Sequence, residues 1–377
     1  SVMKVRSLLL SVLCMLALSV SFSSCSDDDG QSWDDSGSKI ELPYVRAYFL
    51  NEGTMGQNNA GIAFYAPNKD NDVIGDIYKA QNKASLGDTG QDMIEYEDYI
   101  YVSVYGSNYL AKLNAACVEQ ARVSFVGDAD LSAGIRYIAA HDGYIYASFY
   151  GGVVAKINAN TLKVEKKLTG YGDNLEGVAI CNDMLYVANA YKIEGGNYIY
   201  HTEVLVFDLN AFSFKETLTV ASNPNNLTED NDKVFLISWD YSAESRVLQM
   251  IDSKNNNKVT NLGYATHVAV ENDKLYCVDS RVDYSNWPET AAVNTFYTYD
   301  VKLGTKSSGS FLKNAPEELS TAVIYMIAVN DSNGDIYIGT TGHSNVNGDI
   351  YRFRNDGTYM EKFDCGGQNP NSAVFFN

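Results

Sequence analysis

One short strand pattern, built around an aromatic residue, recurs seven times along this chain, and a repeat of that kind leaves few architectures open. It reads Ala47-Tyr48-Phe49-Leu50-Asn51, then Tyr99 to Tyr105, Tyr144 to Tyr150, Leu185 to Asn189, Val234 to Trp239, Leu275 to Asp279 and Ile336 to Thr340. The aromatic positions Tyr48, Tyr101, Tyr146, Tyr186, Phe235, Tyr276 and Tyr337 are spaced by about 40 to 60 residues, the period of propeller blades. Every copy after the first follows an apolar strand and a polar dipeptide: Glu97-Asp98, Asp142-Gly143, Asn182-Asp183, Asn231-Asp232, Asn272-Asp273 and Asn333-Gly334. These residue types tolerate positive φ and so close hairpins. A third strand follows, as in Val153 to Asn158 or Val204 to Asp208, and then a fourth, as in Val164 to Leu168. Each unit is thus a four-stranded antiparallel sheet.

The first unit lacks its inner strand, because Ala47 already begins a second strand. The far end carries an orphan, Pro370-Asn371-Ser372-Ala373-Val374-Phe375-Phe376, that matches inner strands such as Pro224-Asn225-Asn226-Leu227. The expectation is an all-β, seven-bladed β-propeller over residues 44–377, its ring closed by the C-terminal strand pairing into the first blade. Closure removes the open sheet edges that invite aggregation. No Pro/Gly/Ser-rich linker interrupts the repeat, which argues against two stacked sandwich domains.

The N-terminal segment addresses compartment. Lys4 and Arg6 precede the apolar run Leu8 to Val20, and small residues Ser23 and Ser24 stand before Cys25. Residues 1–24 read as a signal peptide, too short for a stable span. The segment resembles a lipobox, with Phe22 where Leu is commoner, and that resemblance implies a lipid on Cys25. Ser26-Asp27-Asp28-Asp29 is similar to the acidic tag that sends lipoproteins of the Bacteroidota to the outer face of the outer membrane. Residues 25–43, rich in Gly, Ser and Asp, read as a flexible acidic tether.

The strand signatures, together with Lys156-Ile157-Asn158-Ala159-Asn160-Thr161, resemble the YVTN/YncE-like seven-bladed propellers over residues 44–377. The Cys25 start and Ala47 to Gly53 are similar to the BtuG-type surface lipoproteins of gut Bacteroidota. That second resemblance implies capture of cobalamin, or a related corrinoid, for an outer-membrane TonB-dependent transporter.

Composition narrows the remaining classes. A formal charge of −19 argues against a nucleic-acid partner, since phosphate neutralisation needs clustered Lys and Arg. Cys117, Cys181, Cys277 and Cys365 show no CxxC spacing and read as buried small residues, with room for one disulfide in an oxidising compartment. No catalytic motif, cofactor motif or metal-ligand spacing is found; Asp331 to Asp335 has the flavour of a calcium loop but lacks the distal Glu.

Binding residues are expected on one face, where the loops from second to third strands gather around the central channel. The long segments Ala190 to Tyr200, Asp240 to Ser245, Asp279 to Asn294 and Thr341 to Gly348, with Trp239 just ahead of the second, carry Tyr191, Tyr198, Trp239, Tyr241, Arg281, Tyr284, Trp287 and His343. Tyr and Trp supply rigid amphipathic area suited to a large flat ligand with amide edges. Aligned inner strands place Gln91, Asp92, Arg136, Tyr137, Glu176, Asn225, Asn226, His267 and Asn371 in a second ring at the channel mouth. Two alternatives stay open: a propeller lactonase or lyase using Asp92, Glu176 and His267 for acid–base work, and a surface adhesion or glycan-binding role.

Overall fold

The polar dipeptides take the left-handed conformation that their side chains tolerate. Glu97-Asp98, Asn182-Asp183, Asn231-Asp232 and Asn272-Asp273 all have φ between 41° and 70° at both positions, the geometry of type I′ turns, whose twist matches the flanking strands. The computed structural model describes residues 32–67, 72–343 and 345–377. Among them, 28 strands form seven four-stranded antiparallel sheets. The expected signal peptide and Cys25 lie outside the described residues, and no helix among those described is long and apolar enough to cross a membrane.

The inner strands of blades one to seven are Pro370–Phe376, Gly90–Tyr96, Ile135–His141, Asn174–Cys181, Pro224–Asp230, His267–Glu271 and Val323–Val329. Each packs on the next, and the seventh packs on the first, so the ring is closed. Blade one is completed as the sequence predicts: Pro370–Phe376 pairs antiparallel with Arg46–Asn51, from Arg46 opposite Phe376 to Asn51 opposite Pro370. Within the span expected to be a tether, Asp35 forms an ion pair with the buried Arg46 at 2.6 Å, and Lys39 donates from its backbone to Gln81.

The repeated aromatic has a structural task. All seven of these side chains are buried. Three of their hydroxyls reach the turn between the third and outer strands of the following blade: Tyr48 to Ala115 O at 2.5 Å, Tyr101 to Ala159 O at 2.8 Å and Tyr186 to Asn257 Oδ1 at 2.5 Å. At the opposite ends of the second strands, Ser103 donates to Arg136 O at 2.7 Å and Ser148 to Glu176 O at 2.5 Å. Blades are thus riveted at both faces, with apolar side chains packed between them.

Two of the segments expected as loops are strands instead. Blade four extends its second and third strands, Met184–Glu194 and Asn197–Asp208, into a projecting hairpin in which Tyr191 pairs with Tyr200 and Ile193 with Tyr198. Gly195 and Gly196, at φ 57° and 81°, close it. Blade six does the same with Lys274–Asp283 and Ala291–Asp300. The four described cysteines are buried and unpaired.

Candidate functional site

Because every inner strand starts at the same end of its blade, the first residues of the seven strands surround one mouth. The central cavity there holds about 160 Å³ and is lined by Asn226, Thr266, His267, Tyr325 and Asn371, with Met326 and Ile237 beneath. At about 30 Å³ per water, it admits a few waters or one small group, so a larger ligand must sit above it.

On the side of blades two to four, Arg136 is the organising residue. Its Nε and Nη2 donate to the two Glu176 oxygens at 3.0 Å each, and Nη1 donates to Gln91 at 2.9 Å. The guanidinium is flanked by the rings of Tyr105 and Tyr150, with centroids 4.6 and 4.3 Å away. The Tyr150 hydroxyl also bonds Glu176. Burial works against the guanidinium's charge, but Glu176, with Tyr150 and Tyr137 beside it, more than offsets that, so Arg136 is held above its ordinary range. Asp92 is committed to the frame: its oxygens accept the backbone N–H groups of Ile138 and Met93, each at 3.0 Å, tying blade two to blade three. Burial raises its carboxyl to about 6, with the two N–H bonds opposing.

Across the mouth, Tyr325 donates to Glu52 Oε2 at 2.6 Å, and Asn371 donates to Glu52 Oε1 at 3.2 Å and Gly90 O at 3.0 Å. Burial pushes the Glu52 carboxyl above its usual value. His267 Nδ1 lies 3.0 Å from Thr266 Oγ1. That hydroxyl gives its single proton to Val278 O, so Nδ1 must carry the hydrogen and Nε2 is the acceptor. The half-buried ring, enclosed by the channel wall and near Arg246, is held neutral, its pKa lowered to about 3. Trp239 Nε1 donates to Asn226 Oδ1 at 3.1 Å, which leaves Asn226 Nδ2 to meet the Tyr137 hydroxyl at 3.4 Å. Asn225 is buried, and its Oδ1 has no hydrogen-bond partner among the described residues.

Above this polar ring stands an aromatic arc. Tyr105, Tyr150, Tyr191, Tyr198, Tyr200 and Tyr241 follow one another with centroid separations between 5.3 and 6.3 Å, crossing blades two to five. Its outer members are open to solvent, Tyr198 at 57% and Tyr241 at 72% exposure. A second cluster joins Tyr284, Trp287 and His343 at 5.4 to 6.2 Å, between blades six and seven. Arg281 belongs to neither: it pairs with Asp279 at 3.0 Å and lines a separate flank cavity of about 530 Å³ with Lys306 and Tyr297.

Tyr105, Tyr150, Glu52 and Tyr325 escaped sequence reasoning. The first two close the repeat as quoted, one residue past the second strands, where a recurring aromatic was itself a signal, but the Glu52 and Tyr325 partnership joins residues 273 positions apart. No hydrogen bond joins any two of Asp92, Glu176 and His267. Among the described residues, no group of three or more His, Cys, Asp or Glu is placed to hold a metal ion.

No family model matches this chain, and no curated protein matches it. Solved structures do. A quinonprotein alcohol dehydrogenase-like protein from Bacteroides thetaiotaomicron superposes with a TM-score of 0.62 at 14% identity, over 87% of this chain and 78% of that one. A hydrazine synthase chain from Kuenenia stuttgartiensis gives 0.53 at 12% identity, over 69% and 74%. The Pan2 WD40 domain of Neurospora crassa gives 0.52 at 10%, over 72% and 79%. At these identities the likeness is one of fold: the chain is a seven-bladed β-propeller.

Proposed function

We propose that this propeller is a non-enzymatic capture protein that holds a large, flat, amide-bearing ligand on its upper face, a corrinoid of the cobalamin kind. The observation that carries the reading is the unbroken arc from Tyr105 to Tyr241 rising beside a polar mouth too small to swallow such a ligand. Aromatic walls supply area, and the mouth supplies donors and acceptors for amide edges. An acid–base role is less well supported, because Asp92 and Glu176 spend their oxygens on backbone N–H groups, Arg136 and Tyr150. The signal peptide, Cys25 and Ser26 to Asp29 support a lipid-anchored position on the outer face of the outer membrane and delivery to a TonB-dependent transporter.

The test is co-elution of the purified chain with cobalamin on a sizing column, followed in the visible spectrum of the ligand. Binding should be lost on replacing Tyr198, Tyr200 and Tyr241 together by Ala. A chain that leaves the cobalamin behind rules the corrinoid out.

A further inference from the structure

Five arginines in the propeller have a carboxylate partner: Arg46 with Asp35, Arg122 with Glu119, Arg136 with Glu176, Arg281 with Asp279 and Arg352 with Asp335. Arg354 is exposed. Arg246, half-buried at the start of the third strand of blade five, has no ion pair among the described residues. Its contacts are the Trp239 ring, 3.8 Å from the guanidinium carbon, and a single long bond from Nη1 to Thr266 O at 3.5 Å. Most of its five N–H donors are therefore unspent. The nearby acids are spoken for: Glu244 and Asp279 face Arg281, and Glu52 serves Tyr325 and Asn371.

The surroundings of Arg246 offer phenols and, in His267 Nε2, a neutral acceptor, but no uncommitted carboxylate among the described residues. Tyr137, Tyr241, Tyr284 and Tyr325 are its neighbours, and burial draws its pKa below the ordinary value. Tyr137 accepts from Asn226, and its own O–H has no acceptor among the described residues. The chain from Trp239 through Asn226 to Tyr137 fixes both the ring under the guanidinium and the phenol. A half-buried guanidinium and a phenol from blades five and three thus meet at one mouth, where the carboxylates acting on Tyr137, namely Glu176, Asp92 and Glu52, are each committed to other partners.

We infer that Arg246 and Tyr137 form an oxyanion site at the channel mouth, which takes a carboxylate or phosphate group of the captured ligand. The inference rests on the ligand-capture reading of this face and needs no corrinoid. The stacked Trp239 makes the site its own reporter, since an anion drawn to Arg246 alters the indole's surroundings.

The test uses the full chain, titrated with inorganic phosphate and separately with acetate at fixed ionic strength, followed by tryptophan fluorescence and calorimetry. Saturable binding of either anion is expected; phosphate alone identifies a phosphate group, acetate alone a carboxylate. Arg246→Gln should weaken binding about tenfold or more, and Tyr137→Phe severalfold. In Trp239→Phe the fluorescence response should vanish while the heat remains. Failure of both anions to saturate overturns the site, as does unchanged affinity in a folded Arg246→Gln. Should that variant not fold, unchanged affinity in Tyr137→Phe overturns it equally. Cobalamin failing to co-elute while phosphate binding depends on Arg246 removes the corrinoid and leaves the site standing.

Discussion

Glu176→Gln isolates the charge at the centre of the mouth. The side chains of Glu176 and Arg136 are 2% and 11% exposed, and their bidentate bonds are 3.0 Å each. The isosteric amide keeps the shape and one acceptor but leaves the guanidinium buried without a countercharge, with Gln91 and two tyrosine rings as its remaining company. Breaking one partner of such a pair costs about 3–5 kcal/mol, so a loss near 3 kcal/mol is expected with one acceptor retained. Against a typical total stability of about 5–15 kcal/mol, that is readily measured by urea unfolding at neutral pH. The double variant Arg136→Met/Glu176→Gln should cost less than Glu176→Gln alone, because no unpaired charge remains, with a coupling of about 2 kcal/mol. A single-variant cost below about 1 kcal/mol, or strictly additive effects, refutes the reasoning.

Three further outcomes are expected. The neutral His267 has a native pKa of about 3 against an ordinary 6.5, so the stability it permits is intact above 6.5 and drains away as the pH falls toward 3. Between pH 6.5 and 4, His267→Gln should lose about 1–3 kcal/mol less than the parent in paired urea titrations, less than the full shift implies because channel water reaches the ring. Tyr101→Phe forfeits the bond to Ala159 O and should cost about 1–2 kcal/mol, whereas Tyr337→Phe removes a buried hydroxyl with no hydrogen-bond partner among the described residues and should cost close to nothing by the same unfolding assay. Gly177→Ala would set a Cβ 2.4 Å from Asn225 O and 2.7 Å from Leu227 N, forcing blades four and five apart; a loss of about 1–3 kcal/mol should appear as a lowered Tm.

The ring was legible in the sequence because its determinants are local. An Asn-Asp, Glu-Asp, Asp-Gly or Asn-Gly pair, followed three residues on by a buried aromatic, marks the hairpin of every blade but the first and sets its register. Aligning the units on that turn put Gln91, Arg136, Glu176, Asn226 and His267 in one ring, and the match of the last strand to Pro224-Asn225-Asn226-Leu227 added Asn371. What each residue does there depends on neighbours one or more blades away, which no local pattern records. Asp92 looked like a free acid and proves to be a clasp on the Ile138 N–H. Arg281 sat in a segment that looked like a rim loop, yet a continuous ladder carries it to the flank. The Gly195-Gly196 pair, between stretches of alternating character, was a readable hairpin signal, and it would have turned the expected blade-four loop into the mast that bears Tyr191, Tyr198 and Tyr200.

The seam between Arg46–Asn51 and Pro370–Phe376 also sets an order of events. Six blades can each form from one uninterrupted piece of chain, but the remaining one waits for a strand made more than three hundred residues later. During synthesis its inner edge stays unzipped, a bare row of donors and acceptors that any extended passer-by could occupy. A holding factor at that moment, or a peptide mimicking Pro370–Phe376, would decide whether the circle is completed by its own tail or by a stranger's.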